Sequence, residues 1–228
     1  MGAPASQGEL DTLVVHMELT LIAIIQGVAL TFLVEHSYEL FVGLRILFWP
    51  YVLTGLTTIL IFWSRSSFHT LTVIRWPLDL THNCMYITCT LAEAAAFTQL
   101  SNPLHWYALN ALFALTVYVL FILDLRMIRR RIADSSGPVG SRLYALLERE
   151  QLLNMRLLMP ATVVFNIVAM VAVQLWPTPL IQQEGHVFIG LAQLVAAFAY
   201  LIYGIRFFTR VIPLIAQSRN EWHQADPS

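Results

Sequence analysis

An all-α polytopic membrane protein with six transmembrane helices is the fold class this chain predicts, and three observations predict it. Hydrophobic residues fill 57% of the 228 positions and charged residues only 12%, against roughly half and a quarter in a soluble domain. Mean hydropathy is +0.66, which gathers the apolar residues into long blocks rather than scattered core positions. Six such blocks approach the ~20 residues needed to cross a bilayer. They lie at about 13–34, 41–63, 77–97, 106–123, 157–176 and 187–208, within a single domain, with 124–156 as the one long connection.

The first block, Leu13 to Val34, follows a segment with no arginine and with the acids Glu9 and Asp11. Its apolar run exceeds the core of a cleavable leader, so it is expected to remain as a membrane helix. With six spans the two termini share a side. Twelve of the thirteen arginines then fall on that side: Arg65 and Arg75, the seven from Arg126 to Arg156, and Arg206, Arg210 and Arg219. Only Arg45 lies opposite, so the positive-inside rule puts both termini in the cytoplasm of a cell, or inner, membrane. Gln99-Leu-Ser-Asn-Pro103 and Pro177-Thr-Pro179 supply tight outer turns, which makes antiparallel hairpins of helices three and four and of helices five and six. In the long connection, Asp134-Ser-Ser-Gly-Pro138 reads as a break. Leu143, Leu146 and Leu147 beside Glu148, Arg149 and Glu150 read as a short interfacial helix.

Several chemistries are excluded. Every basic residue apart from histidine is arginine, so a lysine Schiff base and a Walker-type phosphate-binding lysine are impossible. Gly137-Pro-Val-Gly140 is too short for a phosphate loop, and no Gly-x-Ser-x-Gly elbow occurs. Cys84 and Cys89 point to different faces of one helix, which bars a mutual disulfide. No cofactor, no nucleic-acid partner and no enzymatic activity are expected.

The polar residues inside the third block carry the functional signal. Asp79, Asn83, Tyr86, Thr90 and Glu93 recur at steps of four, three, four and three, one stripe of a helix, spanning about 21 Å at 1.5 Å per residue. Ionisable side chains in a membrane helix face a cavity or a partner, so the stripe is either a conducting path or interhelical hydrogen-bonding glue. Gln26 and Thr31 on the first helix extend the candidate path. Asn110 and Asn166 read as packing hydrogen bonds. Glu35, Glu39 and Glu184, with Glu93 counted beside them, form an acidic outer rim that attracts cations. For metal, His16, Glu18, His69, Asp79 and His82 gather toward the cytoplasmic side, and Asp79 with His82 has the i, i+3 spacing of two ligands on one helix face.

Leu30-Thr-Phe-Leu-Val-Glu35 closing the first helix, Trp63 followed by Phe68 after the second, and the short turn before the Asn110-bearing fourth helix resemble the bacterial six-helix relatives of the lysosomal potassium-channel family. The Phe-Ser-Asp triplet of that family has no counterpart here, and its histidine-rich end of helix two reads Ser64-Arg-Ser-Ser67. The resemblance implies a homo-oligomer, a tetramer, with helix one around a central pore narrowed by Ile22, Ile25 or Leu30, and potassium as the ion.

The leading expectation is therefore a channel or transporter for a small cation, potassium or a proton, with the bilayer and further copies of the chain as partners. A membrane enzyme or redox protein built on the inner His16, Glu18, Asp79, His82 group is the alternative. A structural or sensory subunit docking a partner on the Arg126–Arg156 connection is the third.

Overall fold

The computed structural model of the chain describes residues 7–74, 79–134 and 138–225. Arg75, residues 77 and 78 of the third expected span, the Ser135–Gly137 part of the break and the side chain of Arg219 lie outside the described residues. Every described regular element is helical: α1 (Gln7–Val42), α2 (Trp49–Thr72), α3 (Leu80–Phe97), α4 (Pro103–Asp134), α5 (Pro138–Leu153), α6 (Met159–Leu175) and α7 (His186–Ala225).

The helix starts follow from local chemistry. Asp79 caps α3, accepting from the backbone N–H groups of Thr81 and His82 at 3.0 and 3.1 Å, a carboxylate satisfying donors that a helix start leaves free. Asn102 accepts from His105 N ahead of α4, and Pro103 follows it at the first helical position, where its missing N–H is no loss. Pro50 plays the same part in α2. At the other end of α2 the carbonyls of Thr72 and Val73 accept from Tyr144 and Arg131.

The expected connection 124–156 is almost entirely helix. α4 runs on to Asp134, and α5 joins α6 through a widened turn at Asn154–Leu158. Pro160, at the head of α6, has no N–H to give the preceding turn, and the chain accommodates the lost hydrogen bond by loosening to i→i+5 spacing. The interfacial helix expected around Leu143–Glu150 is thus the lower part of a continuous rod from residue 139 to 175.

Six rods result, alternating in direction. Five are long and apolar enough to cross a membrane: 8–42, 46–72, 103–133, 139–175 and 186–218. α3 is not among them; it is 18 residues long, about 27 Å, and it carries His82, Asn83, Thr90 and Glu93. It packs chiefly on α1 and α4. Its expected stripe faces inward, with Asn83, Tyr86, Thr90 and Glu93 all buried, while Leu80 and Leu91 are 69% and 64% exposed.

Three apolar clusters stack along the bundle. Ala29, Leu33, Tyr51, Phe97, Leu100 and Trp106 fill the arginine-poor end. Ile22, Phe62, Tyr86 and Phe121 fill the middle, and Val73, Ile128, Tyr144 and Val211 the arginine-rich end. Gly55 on α2 admits the first of these, since a Cβ there would stand 2.9 Å from Leu33 Cδ1 and 3.0 Å from Phe97 Cε1.

Candidate functional site

The arginine-rich half of the bundle holds a polar chamber. His69 from the last turn of α2, His82 from the first turn of α3 and Asp124 from α4 meet there, His82 Nε2 at 3.1 Å and His69 Nε2 at 3.5 Å from the same Asp124 Oδ1. One ligand-capable atom from each lies within 4.8 Å of the others, and the imidazoles stack with centroids 5.5 Å apart. Asn83 Nδ2 donates to the buried Glu18 Oε1 at 2.7 Å, leaving its Oδ1 turned to His82 Nδ1 at 3.4 Å. A cavity of about 40 Å3, bordered by Glu18, Arg65, His69, His82, Tyr86 and Asp124 among others, lies against the group.

A second polar set walls the same cavity. Arg65 makes a two-pronged ion pair with Glu150 at 2.7 and 3.1 Å and also donates to Gln151 Oε1. Its guanidinium lies 4.9 Å from the Phe121 ring centre. Asn154, fully buried where the rod widens, donates to Glu150 Oε1 and accepts from Tyr200 at 2.8 Å. The widened turn therefore aims Asn154 so as to tie α5 to α7.

Beyond Tyr86 the stripe of α3 continues against α1. Gln26 Nε2 donates to Thr90 Oγ1 at 3.3 Å and to Glu93 Oε2 at 3.4 Å. Glu93 is 1% exposed. Its Oε1, Gln26 Oε1 and the Tyr86 hydroxyl are buried without a hydrogen-bond partner, an uncommon arrangement for polar groups, each of which costs about 1–3 kcal/mol when left unsatisfied. Phe97, Leu33 and Leu100 close the seam on the arginine-poor side. Past them a separate cavity of about 200 Å3 is bordered by His36, Glu39 and Arg45.

Several candidate residues have other places. Asp79 is spent on the α3 cap, so its carboxylate belongs to the backbone rather than to a path or to a metal pair with His82. His16 is exposed on α1. Thr31 bonds back to Gly27 O and is exposed, on the face of α1 turned away from α3, and Leu30 is 41% exposed. Ile22 is buried against Tyr86, with Ile25 beside it. Glu35, Glu39 and Glu184 are exposed, whereas Glu93, counted with that rim from sequence, is buried between helices because α1 shields it. Asn110 and Asn166 hydrogen-bond back to Trp106 O and Thr162 O, and Gln193 bridges Trp106 Nε1 to Asn166 Oδ1. They are packing bonds.

Sequence reasoning missed Asp124, Arg65 and Glu150. The one available signal was that Asp124 closes an apolar run and falls 42 positions from His82, a separation that local periodicity does not reach. Comparison of the chain with protein-family models, with curated proteins and with solved structures finds no match.

Proposed function

We propose that the chain is a six-span membrane protein, termini cytoplasmic, that moves protons along the seam between α1 and α3. The observation that carries this reading is Glu93: a carboxyl sealed between α1 and the shorter, more polar α3, bonded among the described residues only through Gln26, with an orphaned oxygen and two further orphaned polar atoms beside it. Such groups are costly in lipid and characteristically mark ion or proton routes.

The path begins in the cytoplasmic cavity, which extends to Tyr86. It continues over the Tyr86 hydroxyl, the Gln26 amide and the Thr90 hydroxyl to Glu93, which takes up and releases the proton. The apolar layer of Leu33, Phe97 and Leu100 is the barrier to the opposite side. A potassium ion stripped of its water needs a ring of oxygen ligands in its place, and Phe62 stacked on Tyr86 at 4.9 Å leaves room for hydrogen bonds rather than for such a ring. The proton is the cation that a hydrogen-bond chain suits.

The test is flux into liposomes containing a pH-sensitive dye, driven by a potassium gradient and valinomycin. Wild-type protein acidifies the lumen, Glu93→Gln lowers the rate at least tenfold, and Thr31→Val, on the far face of α1, leaves it unchanged. Undiminished flux in Glu93→Gln overturns the seam. Potassium flux that Thr31→Val abolishes replaces it with a central pore lined by α1.

A further inference from the structure

We infer that His69, His82 and Asp124 form a binding site for a first-row divalent metal ion, Zn2+ by donor type, at the arginine-rich end of the bundle. The site opens on the cavity from which the Glu93 seam starts, but its three ligands are not members of that seam, and it binds whether or not protons move.

Two of the three donor–donor edges have the length a ligand set needs, and all three ligand-capable atoms lie within 4.8 Å of one another. At metal–ligand distances of 2.0–2.1 Å, tetrahedral donor atoms stand about 3.4 Å apart. The two observed edges, 3.1 Å from His82 Nε2 to Asp124 Oδ1 and 3.5 Å from His69 Nε2 to the same oxygen, bracket that value. Each ligand comes from a different helix, so tertiary packing holds the three in place.

Hydrogen bonding gives a second, independent reason. Asn83 donates its amide protons toward Glu18, which fixes its Oδ1 as an acceptor facing His82 Nδ1. His82 therefore carries its proton on Nδ1, and in the neutral ring Nε2 is a bare lone pair aimed at a carboxylate oxygen. His69 Nε2 is buried and has no hydrogen-bond partner. A second proton on His82 would satisfy its contacts with Asn83 and Asp124 but leaves His69 Nε2 without a partner, whereas a metal ion satisfies all three donors together. The Asn83 contact is the outer-shell bond that orients a metal-bound imidazole, and Glu18 behind it adds negative charge.

The adjoining cavity of about 40 Å3 holds a water as fourth ligand. Two imidazoles, one carboxylate and one water make a set typical of zinc with an open position. Arg65 on the cavity wall is paired with Glu150, which offsets much of its charge.

The experiment uses the full chain, purified in detergent without a polyhistidine tag and stripped with a chelator. Titration with Co2+ as spectroscopic probe is expected to give one ion per chain with the intense visible bands of a four-coordinate site, displaced by one equivalent of Zn2+. His69→Gln and Asp124→Asn each weaken binding at least a hundredfold, and Asn83→Ala weakens it by about ten- to a hundredfold, as loss of an outer-shell partner does. His16→Gln and Glu93→Gln bind like wild type, so this inference and the proton path fail separately. Absence of stoichiometric Co2+ binding by the wild type, which needs no variant to fold, overturns the proposal. Binding that survives in both ligand variants, or that His16→Gln removes, overturns it equally.

Discussion

Glu150→Gln tests whether the second polar set of the cavity holds the bundle together. Glu150 and Arg65 form the two-pronged pair described above, with side-chain exposures of 6% and 14%. Glu150 also takes a hydrogen bond from Asn154 at 2.6 Å. Removing one charge from a buried pair leaves the other uncompensated, at a cost of about 3–5 kcal/mol. The amide keeps the shape and one hydrogen bond to each neighbour, so the lower end, about 3 kcal/mol, is the expected loss. For a chain of this length that is a fall in Tm of about 6–12 °C. Reversible unfolding by titration with sodium dodecyl sulfate in mixed micelles, followed by tryptophan fluorescence, measures it. The companion variant Arg65→Met/Glu150→Leu removes both charges, and apolar replacement of a buried pair is close to neutral or stabilising. It is expected within about 1 kcal/mol of wild type, even with the guanidinium–Phe121 contact gone. A loss below about 1 kcal/mol in Glu150→Gln, or a double variant as unstable as the single one, refutes the reasoning.

Gly55→Ala inserts a methyl 2.9 Å from Leu33 Cδ1 and 3.0 Å from Phe97 Cε1, and overpacking of that kind costs about 1–3 kcal/mol. The same titration is expected to show destabilisation, although alanine favours helix by up to about 1 kcal/mol; a more stable variant would mean that the α1–α2–α3 contact yields. Asp79→Ala removes the α3 cap and is expected to lose about 1 kcal/mol, whereas Asp79→Asn retains a capping oxygen and both stability and proton flux. Loss of flux in Asp79→Asn assigns Asp79 a part in the path and withdraws the purely capping role.

The inward face of α3 was legible in the sequence because a helix repeats every 3.6 residues: Asn83, Tyr86, Thr90 and Glu93 line up without reference to anything else. What they touch was not legible. Gln26 meets Thr90 and Glu93 across 64 and 67 positions, and only packing chooses Gln26 over Thr31, five residues away on the opposite face. Glu148, Arg149 and Glu150 interrupt the hydropathy pattern, so the sequence suggests a short interfacial helix within a long connection where the chain continues as one rod. Glu150 is tolerated there because Arg65 arrives from α2 to pair with it. His69 stands among the metal candidates the sequence offers, whereas Asp124 falls in the long connection and joins no candidate group there. Their meeting with His82 depends on the end of α2, the start of α3 and a point ten residues before the end of α4 lying at one level.

The same dependence explains why the most polar helix is the one shielded by the others. Glu93 and Asn83, exposed to hydrocarbon, would each lack the partners that water supplies. α1 answers both from one face, Glu18 to Asn83 and Gln26 to Glu93, eight residues and about 12 Å apart. α4 answers His82 with Asp124. The outward faces of α1 and α4 are apolar in turn, with Ile24, Val28, Leu112 and Leu115 exposed. α3, which is not among the helices long and apolar enough to cross a membrane, is therefore packed chiefly on two that are, α1 and α4. The satisfaction is incomplete only around Gln26, Tyr86 and Glu93 and at His69 Nε2. Of those four residues Tyr86 and His69 line one cavity, with Gln26 and Glu93 beyond Tyr86, and every other buried side-chain nitrogen or oxygen among the described residues has a partner.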